Sequence, residues 1–401
     1  MARDRDRPLN LTPATVLDWR ERARRKLPRQ MFDYIDGGAY EEQTMQANVD
    51  DLGEVLLNQV VMRDVSVREQ SCRVLGQSLS MPVILGPVGL AGMFATRAEV
   101  QAARAASNAG VPFVESTVSI CGIEEVAEAA GPPWFQLYVM RDRAYAEQLI
   151  GRAREVGSPV LVLTVDLAVV GARHRDTRNA MVGEGHSAWA RIRRALDILG
   201  HPGWIRRVGI KGKPLTFGNL EEAVPGARSP EDFKDWVDSQ FDPSVTWDDV
   251  AWVREHWEGP LVIKGILDPE DARRAADAGA DGVVVSNHGG RQLDSVPSTA
   301  LALPGVAEAV GDRIEVLADG GVRTGLDVVK MLSLGAKAVM VGRAWAWAVA
   351  GGGQQAVSRM LEGFRSDIDV ALALTGRQSV GELDESALYR REGQPEGEVF
   401  S

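Results

Sequence analysis

The chain has 401 residues, of which 45% are hydrophobic and 25% charged, and a formal net charge of −11. This is the composition of a globular protein too long for one small domain, and the acidic balance argues against nucleic acid as the main partner. The only cysteines are Cys72 and Cys121, and no two of the five histidines are spaced as an i, i+4 ligand pair. A disulfide framework and a metal centre are therefore not expected. The first residues, Met1-Ala2-Arg3-Asp4-Arg5-Asp6-Arg7, alternate in charge and do not form a secretory signal. No window reaches the roughly 18 uninterrupted apolar residues of a spanning helix. The expected location is the cytoplasm, or the inner face of the cell membrane as a peripheral protein.

In chain order, residues 10–80 read as an N-terminal cap. Thr12-Pro13 opens a helix, Leu27-Pro28 breaks it, and Met31 to Ile35 form a second stretch closed by Gly37-Gly38. Eight short apolar runs follow: 82–85, 112–115, 134–138, 160–166, 261–264, 282–286, 314–319 and 338–342. Between most of them lie alanine-rich stretches of helical period, such as 99–108, 142–155, 269–278 and 325–334. Eightfold alternation predicts an α/β fold, a (β/α)8 TIM barrel over 81–385 within a single domain of 1–401. Gly110, Gly279 and Gly335 stand where left-handed helix ends belong. A dinucleotide-binding sheet would need G-x-G-x-x-G after a first strand. The nearest candidate, Gly351-Gly352-Gly353, reads as a loop. Residues 177–244 are a long insertion between strands four and five, and 392–401 read as a disordered tail.

Barrel side chains at C-terminal strand ends share one mouth. The most informative segment there is Ser286-Asn287-His288-Gly289-Gly290-Arg291-Gln292-Leu293-Asp294. It sets an imidazole, which takes a proton near neutral pH, beside a guanidinium that forks onto a carboxylate. Other strand ends supply Gln136 and Tyr138, Thr164 and Asp166, and Lys264; Arg173 follows on the loop after strand four. Asp319-Gly320-Gly321-Val322-Arg323 and Gly342-Arg343 follow strands seven and eight, where barrels commonly bind phosphate. Arg173 and Arg291 form a separate cationic pair suited to a small carboxylate.

With these residues in place, the chain resembles the FMN-dependent 2-hydroxy acid dehydrogenases and oxidases over roughly residues 11–385. Within that family it is most similar to the bacterial respiratory, quinone-linked L-lactate dehydrogenases. The resemblance rests on Tyr34-Ile35-Asp36-Gly37-Gly38-Ala39-Tyr40, Pro87-Val88-Gly89-Leu90 and Trp134-Phe135-Gln136-Leu137-Tyr138. Lys264 to Ala272 and Ser286 to Asp294 carry it further. It implies FMN as cofactor, His288 as active-site base, Asp166 as its partner, and Lys264 as a cation at the flavin. Tyr34, Tyr138, Arg173 and Arg291 would bind the substrate. Pro87, Val88, Gly89, Ser116, Gln136 and Thr164 would surround the flavin ring, with Ser286 also cofactor-binding. Asp319 would meet the ribityl chain, Gly321, Arg323, Gly342 and Arg343 the phosphate, and Gly320 would be a further cofactor-binding residue. Gly89, where glycolate oxidases carry alanine, is expected to leave room beyond the substrate's α-carbon. The resemblance further implies oxidation of a small L-2-hydroxy acid, L-lactate first, by a homotetramer that delivers electrons to a quinone or other respiratory acceptor. An oxygen-using oxidase of glycolate, mandelate or a larger acid is the alternative.

Residues 186–213 hold seven cations, among them Arg191, Arg193, Arg194, Arg206 and Arg207, against one acid, Asp197. Trp189, Ile192, Leu196, Leu199 and Trp204 are interleaved. That composition suits an anionic membrane surface, with a solvated lid over the active site as the other reading.

Overall fold

The computed structural model describes residues 12–181, 187–223 and 239–389. The expected tail at 392–401, His186 and parts of the 177–244 insertion lie outside these. Eight parallel strands make the barrel: β3 (Val83–Leu85), β4 (Val114–Ser116), β5 (Trp134–Tyr138), β6 (Leu161–Thr164), β7 (Leu261–Ile266), β8 (Gly282–Val285), β9 (Glu315–Ala318) and β10 (Ala338–Val341). They pair in sequence order, β10 pairs with β3, and a single bridge from Leu85 to Phe113 joins β3 to the β4 side. The eight predicted runs are these strands, several of them trimmed by one or two residues.

The strands are β-branched and apolar because both faces are covered. Ile84, Val114, Trp134, Val162, Val262, Val284, Leu317 and Met340 point inward and pack with one another. Alternate residues such as Leu85, Phe135, Leu163, Ile263 and Val283 pack outward against the helices. A hairpin of β1 (Cys72–Val74) and β2 (Gln77–Leu79) adds Val74, Leu75 and Leu79 to the inner cluster. Leu75 N bonds the Glu315 carboxylate at the start of β9, so the hairpin seals the N-terminal end of the barrel. The sequence reading has helices for residues 10–60 of the cap and nothing for this hairpin.

The cap helices are α1 (Val16–Lys26), α2 (Arg29–Asp36) and α3 (Gln43–Glu54). The first begins at Thr15, not Thr12, because Thr15 and Asp18 form a reciprocal capping box. Gly351 and Gly352 are not a loop: they end the helix Arg343–Gly352, which α1 packs against, and only Gly353 (φ +69°) breaks it. Gly110, Gly279 and Gly335 have positive φ, as their places at helix ends require.

Candidate active site

The C-terminal mouth opens into a cavity of about 730 Å³, within the ~300–1,000 Å³ of small-ligand and cofactor sites. A wider cleft of about 1210 Å³ lies at the barrel's opposite end, along Asp281, Glu308, Glu315 and Lys337. It is the larger space, yet the residues singled out from the sequence line the smaller one. Among them are Tyr34, Tyr138, Thr164, Arg173, Lys264, His288, Arg291, Asp319, Arg323 and Arg343. Pro87, Val88, Gly89, Ser116, Gly320, Gly321 and Gly342 line it too. Asp166, Gln136 and Ser286 stand just behind.

Hydrogen bonds fix the Ser286–Asp294 segment along its length. Ser286 Oγ accepts from Lys264 Nζ (2.8 Å) and from His288 N (3.1 Å). Asn287 and Asn48 of α3 exchange amide hydrogen bonds at 2.9 and 2.8 Å. Gln292 Nε2 donates to the carbonyls of Asp166 and Val169, and Asp294 accepts the backbone N–H of Thr44 at 2.7 Å. The turn passes through three consecutive left-handed residues, His288 (φ +56°), Gly289 (+63°) and Gly290 (+71°). At Gly290 a Cβ would sit 2.5 Å from Met45 N, so glycine is required by contact as well as by φ.

His288 Nδ1 lies 2.9 Å from Asp166 Oδ1. An N–H on Nδ1, donated to the carboxylate, leaves Nε2 as the basic nitrogen. Burial pushes the imidazole below its usual value despite Asp166 beside it. Burial would raise Asp166, but the hydrogen bond from His288 and the Lys264 cation hold it below the usual carboxylate value. The pair therefore rests as neutral imidazole and carboxylate. Lys264 stays ammonium: its own burial is outweighed by Asp319, 3.0 Å away, and by Asp166.

Three half-buried arginines line the cavity. Burial and the neighbouring Arg173 depress Arg291 to about 10, and burial depresses Arg323 to about 10. Arg343 is lowered by burial, then by Arg291 and Arg323. Cations so placed call for anionic ligands. Arg173 and Arg291 both lie over the Tyr34 ring, at 5.9 and 5.0 Å. Arg323 stacks on Trp347 at 4.9 Å.

Buried atoms without a partner among the described residues include Gln136 Nε2, Thr164 Oγ1, Asp319 Oδ1 and Arg343 Nε. Such atoms are costly unless a ligand meets them. Ring-facing donors and acceptors with cations at the β9 and β10 ends suit FMN, whose phosphate would also meet the N-terminus of the helix Arg343–Gly352.

Sequence reasoning missed the apolar wall of the cavity: Met31, Met93, Phe94, Trp204, Phe217 and Phe241. Phe241 stands edge-on to Tyr138 at 5.6 Å, and Trp204 Nε1 bonds the Met93 carbonyl. These side chains come from separate segments and carry no local signal. The expectation at Gly89 needs correction: a Cβ there would meet Val118 Cγ2 at 2.7 Å, so Val118 occupies that space. From the insertion, Arg194 and Ile198 line the cavity, while Trp189, Ile192, Leu196 and Leu199 of the same helix, Ala188–Leu199, are 50–66% exposed.

Fold and site together define an α/β-barrel enzyme built for a phosphorylated cofactor beside a small carboxylate. The chain belongs to the FMN-dependent dehydrogenase family, whose profile matches residues 23–390. It is 52% identical over 379 residues to an L-lactate dehydrogenase of Caulobacter vibrioides, covering 94% of this chain and 98% of that one. A Haemophilus influenzae L-lactate dehydrogenase is 51% identical over 376 residues, with the same shares covered. Among solved structures, monotopic membrane (S)-mandelate dehydrogenase superposes with a TM-score of 0.88 at 36% identity, covering 95% of this chain and all of that one. A mandelate oxidase gives 0.79 at 36%, covering 95% and 99%. FMN is the cofactor, and oxidation of a 2-hydroxy acid is the reaction.

Proposed function

We propose that this enzyme oxidises L-lactate to pyruvate and passes the electrons to a membrane quinone. The observation that carries the reading is the His288–Asp166 pair opening into the cavity that Arg173 and Arg291 line. The two relatives named L-lactate dehydrogenase support the choice of acid.

In this reading Arg173 and Arg291 hold the carboxylate, and the Tyr34 and Tyr138 hydroxyls orient the substrate. His288 removes a proton through Nε2, and Asp166 stabilises the imidazolium that results. FMN, when bound, supplies the two-electron acceptor. Gln136, Thr164, Ser116, Ser286 and the backbone at Pro87-Val88-Gly89 would hold its ring, and Lys264 would set a cation beside it. Asp319 and Gly320 take the ribityl chain, and Gly321, Arg323, Gly342 and Arg343 the phosphate.

The insertion supports this acceptor and a membrane-surface location. The helix Ala188–Leu199 buries none of its residues, and Ile210 beyond it is 65% exposed. Exposed tryptophan and aliphatic side chains among arginines suit the interface of an anionic bilayer, which brings a lipid-soluble quinone near the mouth. No helix among the described residues is long and apolar enough to cross a membrane. The homotetramer of the resemblance completes the proposal.

A second reading is oxidation of a bulkier acid such as mandelate. The aromatic wall of Phe94, Trp204, Phe217 and Phe241 favours it, as do the mandelate-named structures. Steady-state turnover of L-lactate, glycolate and (S)-mandelate, each with quinone and with oxygen, decides between them. Fast quinone reduction on L-lactate supports the first reading; peroxide formation on mandelate replaces it.

A further inference from the structure

Asp36 ends α2 and has no part in the chemistry above. Its side chain is 2% exposed, yet it meets two guanidiniums. Arg20 grips it with both prongs, Nε at 2.5 Å and Nη2 at 2.7 Å, and Arg175 Nη1 adds a bond at 2.9 Å. Arg175 also bonds Glu42, which accepts the Gly38 N–H. The turn at 36–38 is thus held from both sides.

That turn reaches both ends of the site. The Gly37 carbonyl accepts from Arg291 Nη1 and from Arg343 Nη2, each at 2.8 Å. Arg20 also lies 5.6 Å from the Trp347 ring, the ring on which Arg323 stacks. The acids that favour the charge of Arg343 are Asp36 and Glu42, both in this network.

We infer that Asp36 is a positioning residue for both ligands, keeping the carboxylate clamp (Arg291) and the phosphate clamp (Arg323, Arg343) in register through Gly37 and Trp347. The inference rests on the assignment of those arginines made above. A guanidinium loses little entropy per bond when its fork is already fixed, and a carbonyl shared by two of them fixes both. A Cβ on Gly37 would meet Asp33 O at 2.7 Å, so the turn itself is a poor place to probe.

The test uses holoenzymes of Asp36→Asn, Arg175→Gln and, as control, Arg291→Lys. FMN release on dilution is read by flavin fluorescence; KM and kcat are taken per bound flavin; Tm reports the fold. Asp36→Asn is expected to raise the FMN Kd and the hydroxy-acid KM together, each about 10- to 100-fold, with kcat falling less than KM rises. Arg175→Gln should move both constants in the same direction by less, and it decides the matter if Asp36→Asn does not fold. A lower Tm with both constants unchanged would make the role structural and overturn the inference. So would unchanged or tighter FMN binding, because removing a negative charge near a dianion's site favours the dianion unless positioning dominates. Arg291→Lys separates the layers. If it leaves KM unchanged, the clamp assignment fails; if it raises KM while Asp36→Asn does not, only the present inference fails.

Discussion

Asp166 and His288 meet at 2.9 Å although they follow different strands, β6 and β8, with β7 between them. The contact orders a base in the tautomer that leaves Nε2 free. Replacing His288 by Gln keeps the volume and removes the base. Turnover should fall by about 10²–10⁴ while the flavin stays bound. Flavin absorbance and steady-state rates on the same preparation check this; activity within tenfold of the parent would contradict it.

The pH dependence follows from burial of the same imidazole. Its value in the folded protein is below the ordinary 6.5. Activity, which needs the neutral ring, should fall on the acid side with an inflection below pH 6.5. Between the two values the unfolded chain binds the extra proton. The neutral ring's contribution to stability is therefore full above pH 6.5 and lost as pH falls through the folded value. Asp166→Asn removes the charge that favours the imidazolium, so the inflection of kcat/KM should move further down as the rate drops. An inflection that moved up would contradict the pairing.

β7 makes room for this pair through a local irregularity. Its register with β8 shifts between Lys264 and Ile266, and Gly265 between them has φ +111°. A Cβ there would lie 2.6 Å from the Asp166 Cβ. Gly265→Ala should therefore push Asp166 off His288 and lower turnover tenfold or more, with about 1–3 kcal/mol of backbone strain as a second cost. Thermal melts and rates on the purified variant check both effects.

Much of this was legible in the sequence. Most barrel strands are short apolar runs, several of them closed by Gly, Asp or Lys, and that pattern survives without any contact information. The site was legible because barrel geometry gathers the strand ends, so Asp166, Lys264, His288 and Arg343 could be grouped before their distances were known. The hairpin at Cys72–Leu79 was not legible: strands of three residues show too little alternation to register. Thr15 lost to Thr12 because Thr-Pro is a louder local signal than a capping box closed by aspartate. The cavity's apolar wall and the contact of Val118 with Gly89 are tertiary and leave no local trace. Asp36 lay in a recognised segment, but its partners Arg20 and Arg175 are far apart in the chain.

The insertion predicts salt-sensitive attachment to membranes. Cations near an anionic surface contribute about 1 kcal/mol each, screened within a Debye length. Co-sedimentation with anionic vesicles should weaken steeply with salt, and more so after neutralising Arg191, Arg193 and Arg194. Equal binding to neutral vesicles, or none at low salt, would contradict the proposed surface.

The most direct measurement is anaerobic reduction of the bound flavin by L-lactate, followed as loss of its visible absorbance, beside D-lactate, glycolate and (S)-mandelate. Rapid bleaching by L-lactate, slow or none by D-lactate, and loss of the fast phase in His288→Gln are the predicted results. A flavin that stays oxidised with L-lactate yet bleaches at once with (S)-mandelate would contradict the assignment of L-lactate, and one that no 2-hydroxy acid reduces would contradict the reaction itself.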